Sequence, residues 1–196
     1  MNVAVIKYNA GNTYSVICAL EQLGYGCTVT DDPALLRNAE KVIFPGVGEA
    51  SAAMNYLRHN GLDHVIRSLT QPVLGICIGQ QLMCRHSAEG DCDCLGIFDA
   101  DVLKLHSADG QFRIPHTGWD TVTVVKDSFI PHSISGEFLY YVHSYYVPVT
   151  TDTVAVTDYI CPFSAAMQHG NFYATQFHPE KSGDVGSLIL KSFLEL

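Results

Sequence analysis

The residues best placed to do chemistry lie in Val73-Leu74-Gly75-Ile76-Cys77-Ile78-Gly79-Gln80-Gln81-Leu82. An apolar strand runs into Gly-x-Cys-x-Gly and then into a helix, the cysteine form of the nucleophile elbow. Such a turn forces its central residue into a strained backbone conformation, and flanking residues without Cβ relieve the crowding. The turn lifts the sulfur to the C-terminal edge of a sheet, where open α/β folds place their sites. The start of the following helix favours a thiolate, and the Ile78 amide would point at a developing oxyanion. The plainer reading is a buried cysteine in a tight strand-to-helix turn, and a partner base would separate the two.

Thiolate chemistry wants an imidazole, and the imidazole wants an orienting acceptor. Of the nine histidines, most, such as His59 and His64, sit on amphipathic helices and read as surface residues. His178 ends a strand over residues 172–177 and opens His178-Pro179-Glu180-Lys181-Ser182-Gly183. Pro179 fixes one backbone angle between His178 and Glu180, so the carboxylate can hold the imidazole in one tautomer. Cys77, His178 and Glu180 are therefore the candidate catalytic set. A strand-end histidine beside a loop proline is the plain alternative for His178 alone.

The elements that must position these groups alternate in the first half. The continuous apolar run at 3–8 predicts a strand buried on both faces, and further short strands fall at 27–30, 41–44 and 73–76. Between them lie helices, one carrying Val16, Ala19, Leu20 and Leu23 at 3.6-type spacing and stopped by Gly24. A short one is capped near Asp31-Asp32-Pro33 and runs to Arg37, and others cover about 50–59, 62–69 and 79–85. This order predicts an α/β fold: an open, mostly parallel sheet flanked by helices. The second half predicts additional antiparallel strands at 102–105, 121–125, 138–143, 154–157, 165–169 and 172–176. His169-Gly170-Asn171 reads as a hairpin turn, and a closing helix falls near 185–194.

The chain has 196 residues, and 11 Lys plus Arg against 20 Asp plus Glu give a net charge of −9. That length fits a single domain, 1–196, and predicts a folded surface of roughly 9,000 Å². An acid excess argues against nucleic acid or an anionic membrane as partner. No apolar run approaches the roughly 18 residues of a membrane span, and the start of the chain reads as a buried strand, not a signal peptide. Seven cysteines cannot all pair internally, which predicts a cytoplasmic chain with free thiols. Cys84, His86, Cys92 and Cys94 cluster, but Cys84-Arg85-His86 and Cys92-Asp93-Cys94 are one residue short of structural zinc spacing. No metal and no cofactor are expected.

Gly75-Ile76-Cys77-Ile78-Gly79-Gln80-Gln81 with Gln176-Phe177-His178-Pro179-Glu180 resembles the class I (triad) glutamine amidotransferases. Pro45-Gly46-Val47-Gly48, Pro115-His116-Thr117-Gly118-Trp119, His143-Ser144-Tyr145-Tyr146 and the segment from His178 to Gly183 narrow the likeness. They are similar to the branch that supplies glutaminase subunits to imidazole glycerol phosphate synthases in histidine biosynthesis. The resemblance runs from Tyr8 almost to the C-terminus.

It implies that Cys77 attacks the side-chain amide of L-glutamine, His178 shuttles the proton and Glu180 orients His178. It makes Gly46, Val47 and Gly48 the oxyanion loop, with the Val47 amide joining that of Ile78. Gln81 and Glu89 would hold the amino-acid end of glutamine, and Ser144 and Tyr145 would bind its carboxylate through the backbone. His116, Trp119 and Lys181 would meet a barrel-shaped cyclase subunit in a heterodimer, which uses the ammonia to make imidazole glycerol phosphate and AICAR. Nothing in the 196 residues reads as a second domain that could consume ammonia, so a partner is expected. Two departures from the family pattern, Lys7-Tyr8-Asn9-Ala10-Gly11-Asn12 and Glu49-Ala50, bear on docking. The rivals are a glutaminase serving an anthranilate or pyridoxal phosphate synthase, whose loops read Pro-Gly-Pro or Pro-Gly-Gly-Glu-Ser, and a non-catalytic module on this fold. A binding module has no need of Cys77, His178 and Glu180 together.

Overall fold

The computed structural model describes residues 1–9, 13–108 and 110–196. Ala10, Gly11 and Asn12 of the first loop lie outside the described residues.

In chain order the first elements are β1 (Val3–Ile6), α1 (Thr13–Gln22), β2 (Cys27–Thr30), α2 (Pro33–Asn38), β3 (Lys41–Phe44), α3 (Ala50–His59), α4 (Leu62–Arg67), β4 (Val73–Ile76) and α5 (Ile78–Met83). The short strands β5 (His86–Ser87) and β6 (Cys92–Asp93) precede β7 (Asp101–Lys104), β8 (His116–Thr121), β9 (Thr123–Val124), β10 (Phe138–His143) and β11 (Tyr145–Tyr146). The chain closes with β12 (Thr153–Tyr159), β13 (Cys161–His169), β14 (Phe172–Thr175) and α6 (Gly183–Leu194).

Eight strands form the main sheet in the order β2-β1-β3-β4-β14-β13-β12-β9. Its first five are parallel, and the β14-β13-β12-β9 edge is antiparallel. Strands buried on both faces send alternate residues to opposite cores. Ala4, Ile6, Val42 and Phe44 join the core under α2, α3 and α4, with Leu36, Met54, Leu57 and Ile66. Val3, Val5, Ile43, Leu74 and Ile76 join the opposite core under α1 and α6, with Val16, Leu20, Ile189 and Phe193. The folded surface is 8384 Å², near the value set by chain length.

Local signals account for several ends. Asp32 caps α2, its carboxylate accepting from the Ala34 and Leu35 amides, with Pro33 in the first turn. Gly170 takes a positive φ of 56° in the two-residue loop that joins β13 to β14. The segment at 121–125 is not one strand as expected. It divides at Val122 between β8, which among the described residues pairs only with β10, and β9, the edge of the main sheet. The helix expected over 79–85 begins one residue earlier and ends at Met83.

Candidate active site

Three neighbouring parallel strands, β3, β4 and β14, end at one edge of the sheet. After β3 comes Pro45-Gly46-Val47-Gly48, after β4 comes Cys77, and after β14 come Gln176, Phe177 and His178. Parallel pairing alone brings the loop, the sulfur and the imidazole together.

Cys77 sits at φ 52°, ψ −106°, in the left-handed range that costs a side chain about 1–3 kcal/mol. The glycines of the motif explain how that turn packs. A Cβ on Gly75 would stand 2.8 Å from the backbone carbon of Gly79. A Cβ on Gly79 would run into the Phe44 carbonyl oxygen, and one on Gly46 into the Ile78 side chain. Ile78 opens α5, so its amide is one of the donors left free at a helix start.

His178 is buried, and its Nδ1 lies 2.8 Å from Glu180 Oε1. Its backbone is tied on both sides: its amide donates to Tyr140 O at 2.9 Å, and its carbonyl accepts from Ser182 Oγ at 2.7 Å. With Nδ1 occupied, Nε2 is left without a hydrogen-bond partner although buried. Burial disfavours the charged ring, but the Cys77 sulfur and the Glu180 carboxylate outweigh it and raise His178 to about 10. The arrangement favours an imidazolium beside the Cys77 sulfur.

A cavity of about 230 Å³ opens over the sulfur. Val47, Gly48, Cys77 and Ile78 line one side, and Gln81, Glu89 and residues Val142, His143, Ser144 and Tyr145 line the other. It is smaller than the roughly 300–1,000 Å³ of drug-sized sites, which suits a small amino acid. Gln81 is buried and donates to Tyr145 O at 2.9 Å and Gln176 Oε1 at 3.0 Å. Glu89 is half-buried in the turn between β5 and β6, its Oε2 accepting from the Ala50 amide at 2.9 Å. Burial raises its carboxyl above the usual range, against the pull of that amide. Glu49, one of the departures from the family pattern, caps α3 by accepting from the Ser51 and Ala52 amides.

The residues expected at a partner surface differ in exposure. Trp119 is 55% exposed and meets the Tyr140 ring edge-on. Lys181 Nζ lies 5.9 Å from the centre of the same ring, so Trp119, Tyr140 and Lys181 form one patch. His116 is a correction: it is 3% exposed and stacked between Tyr141 and Tyr159. The alternation of β8 turns it inward while Trp119 faces out, and its ring cannot reach a partner's surface.

Two contacts escape the sequence pattern. Tyr8 donates through its hydroxyl to Pro45 O at 2.6 Å and so tethers the loop after β3. Gln176 donates through Nε2 to Cys77 Sγ at 3.6 Å. Both depend on sheet register, although Gln176 adjoins the histidine motif. Among the described residues no group of three or more His, Cys, Asp or Glu side chains is placed to hold a metal ion. No helix among them is long and apolar enough to cross a membrane.

The family model described as glutamine amidotransferase class-I matches residues 4–196. A protein of Bacteroides fragilis named imidazole glycerol phosphate synthase subunit HisH is 57% identical, covering 100% of both chains. Relatives of the same name from Bacteroides thetaiotaomicron and Pasteurella multocida are 54% and 46% identical, the first covering 100% of both chains and the second 99% of this chain and 98% of its own. Among solved structures, one described as a glutamine amidotransferase aligns with a TM-score of 0.76 at 18% identity, covering 98% of this chain and 97% of its own. The PurLQS structure from Thermotoga maritima aligns at 0.72 and 18% identity, covering 99% and 97%. These two likenesses concern the fold.

Proposed function

Because the chain belongs to the glutamine amidotransferase class-I family, we propose that Cys77, His178 and Glu180 form its catalytic triad. The activity is that of a glutaminase subunit of imidazole glycerol phosphate synthase, which hydrolyses L-glutamine to glutamate and ammonia for histidine biosynthesis. The observation that carries the residue assignment is the buried, unpartnered Nε2 of His178 beside the Cys77 sulfur, with Nδ1 held by Glu180.

In this reading the Cys77 proton passes to His178 Nε2 and the sulfur adds to the side-chain amide carbon of glutamine. The carbonyl oxygen takes the electron pair and is met by the amides of Val47 and Ile78. Collapse breaks the C–N bond while His178 protonates the leaving nitrogen, releasing ammonia and a thioester. A water activated by the now neutral His178 adds to the thioester, and Cys77 leaves with glutamate freed. Glu180 keeps the ring in one tautomer and stabilises its imidazolium form.

Glutamine then lies in the cavity with its ammonium toward Glu89 and the Gln81 side-chain oxygen, and its carboxylate on the Ser144–Tyr145 backbone. Both hydrogens of Gln81 Nε2 are engaged, which leaves Oε1 free to accept. Gly46 and Gly48 let the peptide at Val47 reorient at low cost. Residues 1–196 act as one amidotransferase domain and form a heterodimer with the cyclase subunit through the patch of Trp119, Tyr140 and Lys181. An exposed aromatic beside a cation is the composition of an interface anchor. The net charge of −9 speaks against a nucleic-acid partner. Seven free cysteines suit the reducing cytoplasm.

The test is ammonia release from glutamine by the chain alone and with a cyclase subunit and its nucleotide ligand. Weak activity alone and strong stimulation by the complex are expected. A cyclase that neither binds nor stimulates would sink the partner assignment.

A further inference from the structure

The pairing of β14 with β4 sets Thr175 opposite Ile76, and the Cys77 amide donates to Thr175 O at 2.7 Å. The next residues, Gln176 and Cys77, therefore stand side by side at the sheet edge. Gln176 is fully buried, and its amide orientation is determined by its neighbours. Gln81 Nε2 carries two hydrogens; one goes to Tyr145 O and the other to Gln176 Oε1. With its oxygen held by a donor, Gln176 must turn its N–H toward the sulfur.

The anchor continues inward. Tyr145 O also accepts from His143 Nδ1 at 2.8 Å, and His143 Nε2 lies 3.1 Å from His116 Nδ1. A neutral His143 that donates through Nδ1 accepts through Nε2, so the proton on that last link belongs to His116. Burial holds both rings down and hence neutral. The Tyr145 carbonyl thus accepts from both His143 and Gln81, and Gln81 donates in turn to Gln176, which donates to Cys77 Sγ.

We infer that Gln176 is a further catalytic residue, donating an N–H to the Cys77 sulfur while it is a thiolate, before attack and after the thioester is cleaved, and that Gln81 and His143 are positioning residues for that amide. The inference rests on the proposed role of Cys77 as nucleophile. His178 must carry its proton on to the departing ammonia, so a second donor that keeps its proton can hold the anion without competing with that transfer. The Val142 carbonyl, 3.9 Å from Sγ, can accept from the thiol but offers nothing to the anion. Gln176 offers the anion an N–H and transfers no proton. The titratable groups interacting with the sulfur are His178, after β14, and Tyr8, after β1.

The test is the pH profile of iodoacetamide alkylation of the full chain. It is followed on the Cys77 peptide by mass spectrometry, because seven thiols are free. In Gln176→Met the rate at neutral pH falls about 10- to 100-fold, the size of a lost hydrogen bond to a charged group. The midpoint of the profile moves to higher pH, and glutaminase kcat in the cyclase complex falls with KM little changed. Gln176→Glu, nearly the same shape with an anion at the sulfur, alkylates more slowly still and decides the matter if the methionine variant does not fold. A folded variant whose profile superimposes on the parent's would overturn the inference. If Cys77→Ala kept glutamine turnover, the nucleophile assignment itself would fail; an inactive Cys77→Ala with unchanged Gln176 profiles would remove only the role of Gln176.

Discussion

Replacing Gly75 by alanine tests the link between packing and chemistry. The Gly75 backbone needs no left-handed φ, so any penalty comes from space alone. Its new Cβ would lie 2.8 Å from Gly79 C, 2.9 Å from Gly79 O and 3.0 Å from Gln80 N. The closest is 0.6 Å short of the 3.4 Å at which ordinary contact begins, and all three are backbone atoms of α5, which cannot swing aside as a side chain would. The start of α5 must therefore move, carrying Cys77 and the Ile78 amide with it. A displacement of about 1 Å costs a reaction about 100-fold, so a loss of about 10- to 100-fold in glutaminase kcat/KM is expected. Overpacking costs about 1–3 kcal/mol, which at about 2–4 °C per kcal/mol lowers Tm by about 2–12 °C. Differential scanning calorimetry and glutamine turnover in the cyclase complex measure both. Parental kcat/KM with an unshifted Tm would refute the packing argument.

Other expectations concern the buried histidines and the exposed patch. Burial lowers His143 to about 3, against the pull of the Tyr145 carbonyl. Its folded pKa lies below its unfolded value of about 6.5, so the unfolded chain binds the extra proton first. The stability this contributes is fully present above about pH 6.5 and is lost as pH falls toward 3, by up to about 1.4 kcal/mol per unit. Urea unfolding between pH 6.5 and 5 should show this slope, reduced in His143→Gln; equal slopes would count against it. His178 has the opposite sign: it is raised to about 10, so its contribution is complete below about pH 6.5 and is lost through about 10. Trp119→Ala should weaken cyclase binding at least about 10-fold and leave Tm of the isolated chain nearly unchanged, because the side chain is 55% exposed. Isothermal titration checks the first and calorimetry the second.

The parallel half of the fold was readable because its inner strands β1, β3 and β4 are buried and mostly apolar, while turn residues mark the ends of the half-buried edge strand β2. The bounds of β2, β3 and β4 follow the sequence pattern. β8 has no such signature. His116-Thr117-Gly118-Trp119-Asp120-Thr121 is mostly polar, alternates between interior and solvent, and pairs with β10. Its pairing places His116 opposite His143, which no local pattern announces. Expecting His116 and Trp119 on the same surface overlooked that alternation. Cys77, His178 and Glu180 were legible as motifs because a sharp turn and a proline leave marks in sequence. The contact of Gln176 with the sulfur was not, because it exists only in the register of β14 on β4.

Cleavage of glutamine by the Cys77 thiolate, with its ammonia passing to the cyclase, can be separated from the cyclase's own chemistry. Its most direct test compares the parent complex with the Cys77→Ala complex, supplied with either glutamine or ammonium and the cyclase's nucleotide substrate. Cys77→Ala should abolish glutamine-dependent product formation and leave ammonia-dependent formation at the parental rate. Glutamine turnover by Cys77→Ala at the parental rate would contradict cleavage by the Cys77 thiolate.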